Sequence, residues 1–129
     1  MKRVLRLFIP FFLFALCFLS GNTIIAQGWE RTFGTNVEDN AYSVIQTLDG
    51  GYALLGFAQS ASSVGTNVIL IKTDEDGDEQ WTRSFGGLGD DKGYEIVQAG
   101  DGTYAIVGQT SSIGNGEEDV LLIKAASNG

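Results

Sequence analysis

The sequence predicts an all-β protein made of two tandem four-stranded antiparallel units that follow an N-terminal signal helix. Two observations carry this prediction. Residues 29–77 align without a gap on residues 81–129, which lie 52 positions further along the chain. Each copy contains four short runs rich in aromatic and β-branched residues, separated by Gly, Asn, Asp and Ser. A duplication with this content indicates stacked strand units rather than helical repeats.

The first 26 residues have the order of a secretory signal peptide. Three basic residues precede an apolar stretch over 7–19, which is followed by small and polar residues. The apolar stretch is shorter than the roughly 20 residues of a spanning helix, so we expect cleavage after Ala26 and no membrane span afterwards. The only cysteine, Cys17, lies within this leader. The sequence therefore predicts export to the periplasm, the outer surface or the extracellular space, without disulfides.

The charge of the chain restricts its partners. The full chain has a net charge of −8, and removal of the leader takes away three bases and no acid, which leaves −11. Nucleic-acid binding needs a basic surface to neutralise phosphates. The composition therefore excludes nucleic acid as a predicted partner and is typical of a solubilised exported protein.

The duplication divides the chain after the leader into two repeats, 27–80 and 81–129. Eighteen of the 49 aligned pairs are identical, and many others exchange one apolar residue for another. The identical pairs include Trp29 with Trp81, Arg31 with Arg83, Tyr42 with Tyr94, Tyr52 with Tyr104, and Lys72 with Lys124.

Each repeat is predicted to contain four strands. The runs are WERTF, AYSVIQT, YALLGFA and NVILIKT in the first repeat, and WTRSF, GYEIVQA, YAIVGQT and DVLLIKA in the second. Asp49-Gly50 and Asp101-Gly102 join the second and third runs, and Asp-Gly is a strong signal for a tight hairpin. Four strands in about 50 residues is the unit of a β-propeller blade, so the chain is predicted to be an incomplete propeller of two blades.

The third and fourth runs of each repeat are almost continuously apolar. Strands of this kind need cover on both faces, which a blade receives from its two neighbours. Two blades alone leave one apolar face of each unpaired. We therefore expect either self-assembly of several chains into a closed ring or further blades in a longer protein.

The repeats resemble a known family. In the segments DGGYALLG, NVILIKTD and DGDEQW, the chain resembles secreted bacterial β-propeller repeat proteins. The resemblance covers essentially all of residues 28–129 and implies a propeller and export. Members of this family share no common activity, so the ligand, a protein or a glycan, stays open.

One acidic stretch is a candidate metal site. In TDEDGDEQW, Asp74, Asp76 and Asp78 alternate as in a calcium loop. An EF-hand would have Gly where Glu79 stands and Glu where Phe85 stands, so that motif fails. A looser calcium cage and a polar turn between blades are the two interpretations. No other cofactor is predicted.

The residue inventory argues against catalysis. The chain has no His, and after the leader it has neither Cys nor a Gly-x-Ser-x-Gly motif. Triads based on His or Cys, and zinc sites built from those ligands, are therefore excluded. Acid pairs at Glu38-Asp39 and Asp90-Asp91, and an acidic run at 117–119, are interpreted as solvated turns. The repeated tyrosines are interpreted as packing residues, with a sugar-stacking surface as the alternative.

These observations predict an exported, non-catalytic β-propeller repeat module for binding or for structural or surface interaction. It is expected to form part of a larger ring or of a longer protein. Two alternatives remain. One is a fragment of a glycan-cleaving propeller enzyme that uses carboxylates, and the other is a calcium-stabilised adhesion module.

Overall fold

The computed structural model describes residues 28–59 and 64–129, which form two antiparallel sheets and no helix. The predicted signal peptide lies outside the described residues. The first sheet has the order β1 (Asp39–Gln46), β2 (Tyr52–Gln59), β3 (Thr66–Thr73) and β4 (Glu79–Phe85). The second sheet has the order β5 (Asp91–Gln98), β6 (Tyr104–Thr110) and β7 (Asp119–Ala125). The predicted all-β fold is confirmed, and two sheets of four and three strands are consistent with an incomplete propeller-like arrangement.

The two Asp-Gly dipeptides form hairpins where the sequence predicts them. Gly50 and Gly102 both have a positive φ, of 87° and 84°. Each donates its N–H at 2.9 Å to a carbonyl three residues earlier, on Thr47 and Ala99 respectively. Glycine adopts this left-handed backbone without a steric penalty. The hairpins fix the register of β1 against β2 and of β5 against β6.

The structure differs from the predicted strand pairing in one respect. The WTRSF run that opens the second repeat lies in β4 and pairs with β3 of the first repeat, so that Arg83 is opposite Leu70. The turn over residues 74–78 is short, and Asp74 N–H donates to the Asp78 carbonyl at 2.9 Å. Such a turn returns the chain directly onto β3. The equivalent WERTF run at 29–33 belongs to no strand.

The hydrophobic core lies between the two sheets. The first sheet contributes its core face, formed by Ala53, Leu55, Val68 and Leu70. The second sheet contributes Ile96, Tyr104, Ile106 and Ala125. β5 packs across β1, β2 and β3, so the sheets are stacked face to face.

Gly93 in β5 permits a close approach of the two sheets. A Cβ at this position would lie 2.7 Å from Cδ1 of Leu55 and 2.9 Å from Cγ1 of Val68. The side chains of the first sheet therefore fill the space that any larger residue would occupy. This contact fixes how one repeat sits on the next.

Candidate functional site

The second sheet presents an apolar outer face that no described residue covers. Its members are Val97, Val107, Val120 and Leu122, with 56%, 43%, 83% and 75% of their surfaces exposed. Each stands 52 positions after a residue on the core side of the first sheet. Leu55, Val68 and Leu70, the equivalents of the last three, are all 0% exposed. At these positions, the outer face of the second sheet thus carries the kind of apolar side chain that is buried one repeat earlier.

The first sheet has a complementary outer face. Val44 is exposed there, and Leu54, Ile69 and Ile71 are partly buried. Their equivalents in the second sheet are Ile96, Ile106, Leu121 and Ile123, which contribute to the core between the sheets. A groove of about 480 Å³ runs between Leu54, Ile69, Ile71 and residues 31–35. Inside the stack, the core face of the first sheet packs on the inner face of the second sheet. Residues equivalent to those of these two faces lie on the two outer faces, one at each end of the stack.

Residues 29–33, called the Trp29 segment below, lie against the outer face of the first sheet. Trp29 meets Tyr52 edge to face, with ring centroids 5.5 Å apart. A Cβ at Gly77 would lie only 2.6 Å from the Trp29 ring. Arg31 pairs with Asp78 at 3.3 Å.

β4 makes the corresponding contacts with the second sheet. Trp81 meets Tyr104 edge to face at 6.0 Å. Arg83 donates hydrogen bonds to the carbonyls of Gly129 and Asn128, at 3.0 and 3.2 Å. The Trp29 segment therefore occupies, relative to the first sheet, the place that β4 occupies relative to the second.

β7 has one free edge within the described part of the chain. It pairs with β6 on one side only, whereas its equivalent, β3, pairs with both β2 and β4. An unpaired strand edge presents a row of N–H and C=O groups that can accept a further strand. Among the described residues, the second sheet therefore has no counterpart of β4, the strand that the first sheet obtains from the next repeat.

Two tyrosines form an exposed aromatic contact between the repeats. Tyr42 and Tyr94 stand at β-bulges in β1 and β5, which turn them away from the regular strand alternation. Their ring centroids are 5.4 Å apart, and Tyr42 also contacts Phe57 at 5.7 Å. Lys92 Nζ lies 5.2 Å from the centroid of the Phe57 ring. The Tyr42 and Tyr94 rings are thus both a packing contact between the repeats and a partly exposed aromatic surface.

The predicted calcium residues lie in the turn between β3 and β4. Asp74 Oδ1 accepts hydrogen bonds from the N–H groups of Asp76 and Asp78, at 3.0 and 2.8 Å. Asp78 Oδ1 is engaged by Arg31. No group of three or more His, Cys, Asp or Glu side chains suited to a metal occurs in ranges 28–59 and 64–129. The geometry assigns Asp74 a turn-stabilising role, and calcium binding by the three residues stays a prediction.

Lys72 is a buried cation held by four acceptors. Its Nζ lies 3.0 and 2.9 Å from the two carboxylate oxygens of Asp49, 2.7 Å from the Thr73 carbonyl and 3.0 Å from Gln80 Oε1. Hydrogen bonds from Lys72 and Thr47 lower the pKa of Asp49 to about 2. In the second repeat, the equivalent Lys124 is exposed. The two lysines are therefore equivalent in sequence but differ in their surroundings. Lys72 is held by a hydrogen-bond network that includes Gln80 of β4, and Lys124 has no β4 strand beside it among the described residues.

Comparison of the chain with protein-family models gave no match, and comparisons with curated proteins and with solved structures gave none either. In the part of the chain that the structure describes, no helix is long and apolar enough to cross a membrane.

The sequence identified the acidic turn and the repeated tyrosines, but it did not identify the free edge of β7 or the placement of the Trp29 segment. The signal for both was the short connection from Thr73 to Glu79. Its length and its Gly77 are typical of a hairpin, which joins the end of one repeat to the start of the next.

Proposed function

We propose that this chain is an exported, non-catalytic β-propeller repeat module that serves binding or structural interaction as part of a larger ring of sheets. The observation that carries the proposal is the apolar outer face of the second sheet. Val97, Val107, Val120 and Leu122 have no cover among the described residues, although their equivalents form a buried core. This face is built to receive another sheet.

The energetic argument supports cover rather than exposure. Removing a Val or Leu side chain from water contributes about 1.5–3 kcal/mol, so covering the four partly exposed side chains contributes on the order of 5 kcal/mol. That amount is comparable to the whole stability of a small domain, about 5–15 kcal/mol. Exposed apolar patches on exported proteins mark interaction surfaces.

The aromatic cluster of Tyr42, Tyr94 and Phe57 supports a binding role. β1 and β5 are edge strands of their sheets, so the cluster lies along the edge at which neighbouring repeats meet. Continued over further repeats, this arrangement would place a column of tyrosines along one edge of the assembly. The exposed faces of Tyr42 and Tyr94 suit a glycan or a protein segment as ligand. The strong negative charge disfavours nucleic acid.

Light scattering combined with circular dichroism tests the proposal. The mature chain, residues 27–129, is expected to form a folded β-sheet species with a mass several times that of one chain. The substitution Leu122→Lys is expected to reduce this mass to that of a single chain, because it places a charge in the covered face. Leu88→Lys is the matched control, because Leu88 is exposed to a similar extent, 83% against 75% for Leu122, but lies in a loop.

A stably folded single chain whose stability is unchanged by Leu122→Lys would contradict the proposal. Loss of association with both substitutions would also contradict it, since the effect would then follow the added charge and not the face.

A further inference from the structure

We propose that the Trp29 segment of a second copy forms the missing fourth strand beside β7, while the outer face of that copy's first sheet covers the outer face of the second sheet. This inference rests on the proposed function and names its partner: another copy of the same chain, joined head to tail. The second copy thus supplies both a strand and a covering face.

The internal pairing of β3 with β4 gives the expected register. Val68 is opposite Phe85, Leu70 is opposite Arg83 and Lys72 is opposite Trp81. The equivalent residues, 52 positions away in each case, place three pairs beside β7 of the first copy. These pairs are Val120 with Phe33, Leu122 with Arg31, and Lys124 with Trp29.

The Trp29 segment is already positioned for this role. Trp29 and Arg31 contact Tyr52 and Asp78 of their own first sheet, as Trp81 and Arg83 contact the second sheet. No main-chain hydrogen bond pairs residues 29–33 with another described segment. Its backbone is therefore free to pair with an incoming β7, while its side chains remain on the first sheet.

One contact at the proposed interface preserves its summed side-chain volume. Within the chain, Gly93 faces Leu55 and leaves no space for a Cβ. At the interface between copies, the equivalent residues are Ala41 and Val107. Ala41 is larger than Gly93 by a methyl group, and Val107 is smaller than Leu55 by a methylene group. The summed side-chain volume of the contact is therefore preserved. Cores tolerate such compensated exchanges much better than single ones.

The same copy cannot supply the strand to itself. The Trp29 segment lies on the outer face of the first sheet, at one end of the two-sheet stack, and the outer face of the second sheet is at the other end. When two copies join through unlike ends, one end of each kind stays free in the pair. Further copies can therefore add through the same contact. Such a head-to-tail contact closes into a ring when the rotation at each step returns to the first copy, and extends as a filament when it does not.

Register-specific disulfide cross-linking tests the inference in residues 27–129, the chain left after the predicted cleavage, which contains no native cysteine. Two pairs are matched by the proposed register: Arg31→Cys with Leu122→Cys, and Thr32→Cys with Leu121→Cys. Exchanging the partners gives two mismatched pairs, because adjacent strand residues point to opposite faces. Single-cysteine proteins are mixed, oxidised mildly and resolved by mass, and circular dichroism checks the fold of each variant.

Both matched pairs are expected to give at least about fivefold more mixed dimer than the mismatched pairs, since directly opposite residues meet disulfide geometry. Equal yields from all four pairs would overturn the inference. Self-association that Leu122→Lys abolishes, together with no matched cross-link, would overturn the second-copy strand and leave the proposed function standing. A folded single chain without cross-links would overturn it as well, and would favour a further repeat of a longer polypeptide as the occupant of β7.

Discussion

Trp81 meets Tyr104 edge to face, with ring centroids 6.0 Å apart and the ring planes inclined at 70°. The contact joins β4 of the first sheet to β6 of the second. Trp29 meets Tyr52 in nearly the same way, at 5.5 Å and 72°. The same contact thus occurs twice. Trp81 makes it between the two sheets, and Trp29 makes it between the first sheet and the Trp29 segment, which belongs to no strand. These two contacts show that Trp29 packs on the first sheet in the way that Trp81 packs on the second.

Replacing Trp81 by Ala is expected to destabilise the protomer by about 2–4 kcal/mol, because it removes a partly buried ring from the contact between the sheets. Trp29→Ala is the matched control. Trp29 is more exposed, so its replacement is expected to affect protomer stability much less and association more. Urea unfolding followed by circular dichroism, with light scattering alongside, measures both effects. Equal losses of stability would contradict the assignment of Trp29 to an interface between copies.

The contact of Gly93 with Leu55 gives a second prediction. Gly93→Ala is expected to cost about 1–3 kcal/mol through overpacking, and Leu55→Val alone about 1 kcal/mol. Together they recreate the combination found at Ala41 and Val107, so the double variant is expected to be more stable than the sum of the two changes predicts. A double-mutant cycle from urea unfolding measures the coupling. Additive effects would show that the two volumes do not compensate.

The buried cation Lys72 gives a third prediction. Asp49→Asn leaves the Lys72 ammonium, whose side chain is 3% exposed, without its counter-ion. The Thr73 carbonyl and Gln80 still accept from it, and Asp49 is open to solvent, so we expect a loss of about 1–2 kcal/mol. Asp101→Asn is the control, because Lys124 is exposed, and little change is expected. Thermal unfolding near neutral pH compares the two, and equal effects would contradict the role of burial.

Acid stability follows from the same pair. The pKa of Asp49 is lowered from 3.8 to about 2, chiefly by the hydrogen bond from Lys72. Folding therefore favours the carboxylate, and its contribution is complete above about pH 4 and is lost as the pH falls through about 2. Because the Asp49 side chain is exposed, solvent screening limits this contribution to on the order of 1 kcal/mol. The difference in stability between the wild type and Asp49→Asn is expected to shrink over this range in urea titrations. A difference independent of pH would contradict the assignment.

Periodicity and turn chemistry predicted much of the fold. Asp49-Gly50 and Asp101-Gly102 each make the expected hairpin, and the apolar runs become strands. The identity of the fourth strand was not predictable from the repeat alone. An alignment shows that Trp29 and Trp81 are equivalent, but it does not show whether a run pairs with the strand before it or after it. Three-dimensional turn geometry at residues 74–78 decides that choice.

The sequence predicted that an apolar interaction surface exists, but not where it lies. Continuous apolar runs indicated that both faces of each sheet need cover, but they did not identify which face stays uncovered. Val120 and Val68 are the same residue type in closely similar local sequences, yet one is exposed and the other buried. Their difference arises from what lies beside each sheet, which is a property of the stack and not of the local sequence.

Hydrogen–deuterium exchange of residues 27–129 at low and high protein concentration tests the central claim most directly. Peptides from β7 are compared with peptides from β3, which pairs on both sides. We predict that protection of β7 and of residues 29–33 rises together with concentration until β7 resembles β3. Fast exchange in both segments at every concentration, with the β5–β6 hairpin protected throughout, would contradict the claim that a second copy completes the sheet.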